Sequence, residues 1–251
     1  MSTYSASPIS PVGGKRRRSR SQALALFAAA LIAVPVLPAL EEDEKRTRRV
    51  AAAGPLVGVV GHWTDTTIGT PGLVVNGERW DGKTSTDALE RAGTRLFGTA
   101  DPAFVTNGMA AGAFPFAVHE STKVFQSGEL RVSFNLLGGK SDQFAGVMFG
   151  LNARGEYHAA RYNTKDGNLA IWAFSNGERR VIGRGTVHAQ LPLNKWHTLV
   201  VTVRGKAVTV ALAEDASLTF THTLDVAPEG RVGLWAKRDA ITAFREFAVR
   251  E

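Results

Sequence analysis

Trp196-His197-Thr198-Leu199-Val200-Val201-Thr202-Val203, and further on Gly233-Leu234-Trp235-Ala236-Lys237-Arg238-Asp239, decide how this chain is read. Apolar residues alternate there with polar or small ones, the period-2 signature of short strands. Working outward from these stretches, Leu130, Val132, Phe134 and Leu136 alternate with Glu129, Arg131, Ser133 and Asn135. Further strands are predicted at 145–151, 157–163, 168–174, 179–182, 208–213, 231–237 and 241–249. Gly138-Gly139, Arg154-Gly155, Asp166-Gly167, Asn176-Gly177 and Arg204-Gly205 supply the turn chemistry between them. Regular turns with almost no helix predict an all-β fold, a two-sheet antiparallel jelly-roll sandwich, rather than βα units.

Upstream the signal is weaker. Leu73-Val74-Val75, Asn76-Gly77 and Glu78-Arg79-Trp80 read as a small hairpin, and 85–95 as one short helix with Leu89 and Leu96 on one face. Residues 113–118 read as a strand that Pro115 confines to an edge or a bulge. With 0 Cys, disulfides, thiolate metal sites and cysteine nucleophiles are all excluded, so packing alone must hold the fold.

The formal net charge of +7 is unevenly placed. Lys15, Arg16, Arg17, Arg18 and Arg20 contribute five positives ahead of an apolar run at 23–40, and the stretch 41–49 balances four acids with four bases. The chain beyond the apolar run carries only +2, so a nucleic-acid partner is not indicated. A basic region leading into an apolar run is the order of an export signal, which places the folded part outside the cytoplasm, secreted or anchored. Pro38-Ala39-Leu40 fits a cleavage site poorly, and the run barely reaches the roughly 17–25 residues of a membrane span. Cleaved signal peptide and membrane anchor both remain open. The organisation expected is a basic, disordered 1–22, a signal or anchor at 23–40, a charged linker at 41–60 and a sandwich domain at 61–251.

Taken together, Phe125…Gly128, Gly139…Asp142, Tyr157…Arg161-Tyr162-Asn163, Asn168, Trp196-His197-Thr198-Leu199 and Gly233-Leu234-Trp235-Ala236-Lys237…Asp239…Phe244 resemble exported bacterial domains of the concanavalin A-like lectin/glucanase superfamily. That superfamily of jelly-roll sandwiches includes laminin G-like modules and family 16 glycoside hydrolases. The resemblance covers 114–251 well and 61–113 loosely. It implies the fold, with carbohydrate, such as a cell-envelope glycan, as the expected partner. The Glu-x-Asp-x-(x)-Glu strand of the glucanases is absent, so hydrolysis is not implied.

Several motifs have plainer explanations. Gly77-Glu78-Arg79-Trp80-Asp81-Gly82-Lys83-Thr84 spells a P-loop, but Glu78 and Asp81 would set two negative charges beside a phosphate, and turns explain the same residues. The six His residues lack metal-ligand spacing, and no cofactor is expected. Laminin G-type relatives assemble calcium sites from scattered carboxylates, which keeps calcium at Asp142 or Asp166 in view. A glycosidase needs two carboxyl groups roughly 5–9.5 Å apart. Glu129, Glu156, Asp239 and Glu246 are the candidates, and spacing alone places no two of them together.

Sugar binding needs aromatic faces and fixed polar groups on one surface. Alternation puts Tyr157, Arg161 and Asn163 on one face of their strand, Asn168 and Trp172 on one face of the next, and Trp235 and Lys237 on one face of theirs. These residues, with Asp239, are the candidate ligand-binding set. In the competing reading Trp172 and Trp235 are core residues and Arg161 pairs with a carboxylate to close the sandwich. Trp196 is expected to cap the core and His197 to be structural. The function expected is a non-catalytic glycan-binding or interaction module. Its rivals are a glycoside hydrolase or keto-sugar-processing enzyme, and a laminin G-type protein-interaction domain.

Overall fold

The computed structural model describes residues 56–65, 72–79, 82–111 and 114–251. The basic and apolar stretches read as a signal or anchor, most of the expected linker, Trp80-Asp81 and Gly112-Ala113 lie outside the described residues.

Fourteen strands form among the described residues: β1 (Leu56–Val60), β2 (Trp63–Asp65), β3 (Gly72–Asn76), β4 (Phe116–His119), β5 (Gly128–Gly138), β6 (Phe144–Leu151), β7 (Tyr157–Asn163), β8 (Asn168–Ser175), β9 (Glu178–Arg184), β10 (Trp196–Arg204), β11 (Ala207–Leu212), β12 (Asp215–Thr223), β13 (Arg231–Trp235) and β14 (Ile241–Arg250). They make two seven-stranded sheets, ordered β1-β4-β13-β6-β7-β8-β9 and β12-β11-β10-β5-β14-β3-β2. Every pairing is antiparallel, as the alternation required. Asn176 and Gly177 both adopt positive φ, 53° and 74°, giving β8 and β9 the tight turn that matches strand twist.

The inward faces close on each other through Leu130, Val132, Phe134, Leu136, Val147, Phe149, Tyr162, Ile171, Leu199, Val201, Leu234 and Phe244, all essentially inaccessible. Phe134 lies at the centre, against Tyr162 at 6.3 Å and His197 at 5.8 Å.

A second apolar cluster lies on the outer face of the first sheet. Helix α1 (Thr86–Phe97) is capped by Ser85, whose hydroxyl accepts from the Ala88 N–H at 3.2 Å, and stops at Gly98 in the left-handed region. Helix α2 (Pro102–Ala110) is capped by Asp101 with Pro102 in its first turn. Leu89 and Leu96 of α1 and Phe104 of α2 join Phe116, Val118, Met148, Tyr157, Phe174 and Trp235 of the sheet. Arg231 on β13 ties the roof down, its guanidinium meeting the Leu96 carbonyl and standing 5.2 Å over the Phe97 ring.

Four expectations need correction. Leu56–Val60 is not linker but an edge strand paired with β4. Gly77–Arg79 is a 3-10 turn rather than the second arm of a hairpin, because Asn76 Oδ1 accepts the N–H groups of Glu78 and Arg79 and β3 pairs with β14 and β2 instead. The strand after Pro115 is not an edge: β4 sits between β1 and β13. Pro115 precedes its first residue, so the missing N–H costs the ladder nothing, and its carbonyl accepts from Ala236. Trp196 faces outward from the second sheet beneath Arg245, 4.0 Å from its ring, and so does not cap the core.

Truncating Phe134 to alanine is expected to lower unfolding free energy by about 3–5 kcal/mol, the range for a large buried aromatic. Chemical denaturation followed by tryptophan fluorescence measures it, and a loss below about 1 kcal/mol would contradict this core.

Candidate functional site

Because β6, β7, β8 and β13 pair in register, their outer faces can be read in rows across the sheet. Trp235, Gly146, Arg161, Ala170 and Arg184 form one row, and Gly233, Met148, Ala159, Trp172 and Val181 the next. The helices cover the end of this face that carries Tyr157 and Phe174. The other end, with Asn163 and Asn168, is closed by polar side chains and loops.

Seven of the eight candidate residues therefore fall into three groups, and Trp172 stands between them. Tyr157 and Trp235 lie under the roof. Trp235 is fully buried, with Phe114 stacked on it at 5.6 Å and 13°, and Phe144, Phe174 and Trp172 at 4.9, 5.6 and 6.4 Å. Tyr157 stacks on Phe174 at 4.4 Å, and burial pushes its hydroxyl pKa up, partly opposed by the Trp235 indole. As placed, neither ring offers a free face, which is the competing reading for Trp235.

The second group is a lattice at the turn between β7 and β8. Arg161 is only 1% exposed. It donates to the Asn168 carbonyl and to Asn168 Oδ1, both at 2.6 Å, and to Asp166 Oδ2 at 2.9 Å. Asn163 Nδ2 donates to the same Asp166 oxygen at 3.1 Å. Burial lowers the Arg161 pKa to about 10, where Asp166 supports the charge and Arg184 works against it. The guanidinium is thus a fixed positive charge held by Asn168, and its carboxylate partner Asp166 is held in turn by Asn163.

The third group joins the β5–β6 loop to the β13–β14 loop. Asp239 accepts from the backbone N–H groups of Lys140 at 2.6 Å, Ser141 at 2.8 Å and Asp142 at 3.1 Å. Lys237 Nζ donates to Asp142 Oδ1 at 3.0 Å, and Arg238 Nε lies 3.8 Å from Asp142 Oδ2. The Lys165 ammonium meets the Lys140 carbonyl and links this latch to the second group. Trp172 stands between the roof and the polar lattices, partly buried against the roof cluster. Arg179 lies 5.1 Å over its ring and 4.4 Å over that of Phe114. Beyond Arg179 opens a cavity of about 780 Å³, whose lining includes Glu156, Tyr157, His158, Glu178 and Glu229.

The carboxylates weighed for hydrolysis do not come together. Glu129 and Glu246 belong to the second sheet, bonded to Arg250 and to Ser133. Glu156 lies at the helix-covered end of the first sheet, bonded by Asn152 and Ser175, and Asp239 is spent on backbone amides. Among the described residues no three His, Asp or Glu side chains assemble for a metal; Asp142 and Asp166 face cations instead. The spelled P-loop places Gly77 where an added Cβ would lie 1.9 Å from the Arg238 carbonyl oxygen, so that glycine serves chain packing.

No protein-family model matches the chain, and no curated protein matches it. Among solved structures it is similar to the carbohydrate binding module CBM66 from Bacillus subtilis, at 16% identity and TM-score 0.56 over 79% of this chain and 97% of that one. The fold is a two-sheet jelly-roll sandwich. Weaker likenesses reach the Bacillus licheniformis beta-glucanase, at 11% identity and TM-score 0.40 over 54% of this chain and 69% of that one, and chicken galectin 2, at 8% and 0.37 over 48% and 91%. On this jelly roll, the side chains that reasoning from sequence left out of the site are Phe114, Phe144, Arg179, Arg184 and Arg238. Arg179 alone carried a signal, since simple alternation already sets it beside Phe174.

Burial raises the Asp239 carboxyl pKa, and the amides of Ser141, Asp142, Lys140 and Asp239 itself outweigh that, leaving it below its ordinary value. A depressed folded value means the latch stabilises the fold above the unfolded pKa of about 4 and fades as pH falls through the folded value. Asp239→Asn should therefore be less stable than the parent near neutrality, with the gap closing in acid. Denaturant midpoints taken across pH check this, and a gap independent of pH would refute it.

Proposed function

We propose that this chain is an exported, non-catalytic glycan-binding module whose ligand lies on the part of the first sheet's outer face that the helices leave open. One observation carries the proposal. A partly buried tryptophan, Trp172, at the margin of the roof borders polar side chains locked in place by their own hydrogen bonds. A sugar ring offers an apolar face to stack and hydroxyls that both donate and accept, so it is recognised by an aromatic surface beside pre-set polar groups. Pre-organisation matters because each side chain frozen on binding costs about 0.5–1.5 kcal/mol, and here that ordering accompanies folding.

In this reading Trp172, Lys237 and Asp166 touch the ligand. Arg161, Asn163, Asn168 and Asp239 position them, and Tyr157 and Trp235 support the sheet beneath. The likeness to a carbohydrate binding module supports the reading by fold. The dispersal of Glu129, Glu156, Asp239 and Glu246 supports binding without hydrolysis. The basic and apolar order of 15–40 supports export, with the ligand met at or beyond the cell envelope. If the apolar run is retained, the module stays tethered to the membrane.

A glycan-array screen of the full chain tests the proposal. Trp172→Ala should weaken binding about tenfold or more, the loss of one stacking contact of about 1.4 kcal/mol, with a smaller fall in melting temperature than Trp235→Ala gives. Trp235→Ala should instead destabilise the fold. Binding indifferent to Trp172→Ala would refute the site.

A further inference from the structure

Arg179 and Arg184 are five residues apart on β9, and strict alternation would point them to opposite faces. The pairing with β8 shows otherwise. Arg179 lies opposite Phe174 and Val181 opposite Trp172, but Ile171 and Ala170 then face Gly183 and Arg184. Ile182 is the extra residue of a β-bulge, and an added residue resets which side chains face which way. Ile182 packs toward the core between the sheets, and a Cβ on Gly183 would meet His222 at 3.1 Å. Arg179, Val181 and Arg184 consequently share the outer face with Trp172.

The charge there is one-sided. Arg184 sits beside Ala170, which sits beside Arg161, so two arginines flank an alanine about 10 Å apart across the sheet. The carboxylates of this face are already engaged: Asp166 with Arg161, Asp142 with Lys237 and Arg238, and Asp239 with backbone amides. Arg179 and Arg184 make no ion pair among the described residues, and both are exposed. Everything after the apolar run carries only +2, so this surplus is local. Packing against Phe114 and Trp172 lowers the Arg179 pKa, Arg238 adds to that, and Asp142 works against both. Beneath them Arg161 is paired with Asp166, so the two β9 arginines are the surplus.

We propose that the ligand of this face is an acidic glycan, whose carboxylate or sulfate groups are held by Arg179 and Arg184 while a sugar ring rests on Trp172. This rests on the glycan-binding reading and narrows it. A planar guanidinium donates two parallel hydrogen bonds to such an anion, with a geometry an ammonium cannot match. The bulge brings two such groups to one tryptophan. Arginines on an edge strand also deter pairing with another sheet, but that role is met on either face and does not require the bulge.

The test compares a polyuronate, a sulfated dextran and neutral dextran by calorimetry on the full chain, with Arg184→Gln, Arg179→Gln and, on the second sheet, Arg204→Gln. Tight binding of either acidic polymer, weakened about tenfold or more by each β9 variant and not by Arg204→Gln, is the expected result. Retention by the polyuronate alone would assign the anion as carboxylate, and retention by the sulfated polymer alone as sulfate. Equal affinity for neutral dextran, or equal losses from Arg204→Gln, would overturn the proposal. Neutral binding that needs Trp172 but neither arginine would leave the glycan-binding reading standing while removing this one. No binding by any of the three, with folded variants, would count against both.

Discussion

The first sheet is buried on both faces, and most of the molecule depends on that. Its inner face meets the second sheet, and much of its outer face lies under two helices packed around Trp235. A strand covered on both sides cannot present polar side chains along its length, which is why Phe144–Leu151 and Arg231–Trp235 are nearly continuously apolar. Close approach demands small residues as well. A Cβ on Gly233 would lie 1.9 Å from the Ala117 carbonyl oxygen, and one on Gly146 would press on the Trp235 ring at 3.1 Å. Polar chemistry is left to the end of the sheet beyond the helices.

At that end, charge is kept but tightly managed. A buried ion is expensive, and its partner repays the cost only with good geometry and further hydrogen bonds. Arg161 has both, through Asn168 and Asp166. Asp239 is held in the same way by three neighbouring amides. With the Lys165 ammonium on the Lys140 carbonyl, these bonds pin the loops after β5, β7 and β13 to one another, so three chain segments share one rigid rim. Rigidity of this kind separates a surface that is merely polar from one able to select a ligand.

The edges of the sheets receive different treatment. β12 is mostly exposed and polar, with Leu218 its one buried side chain. β9 carries arginines and a bulge, which bend the strand and interrupt its pairing. The same bulge turns Arg184 to the face that carries Trp172, so protection of the edge and chemistry of the face depend on one inserted residue.

Much of the sandwich was legible in the chain. From β5 to β14 the alternating runs and Asn-Gly, Asp-Gly and Gly-Gly turns mark almost every strand, because burying one face of a strand writes a period of two into the sequence. β12 escaped, since an exposed edge strand buries too little to leave that pattern. α2 escaped as well, although Asp101-Pro102 carries the chemistry of a helix start. Alternation alone told which residues share a face of each strand that carries no bulge, and made Tyr157, Arg161, Asn163, Asn168, Trp172 and Trp235 candidates for one sheet surface, where the pairing sets them. Only the tertiary structure decided which of them the helices bury, which support others from below, and which arginines join them. Alternation is a local property of the backbone, whereas a roof over half a sheet and a shift of register at Ile182 depend on segments that meet only after the chain has folded.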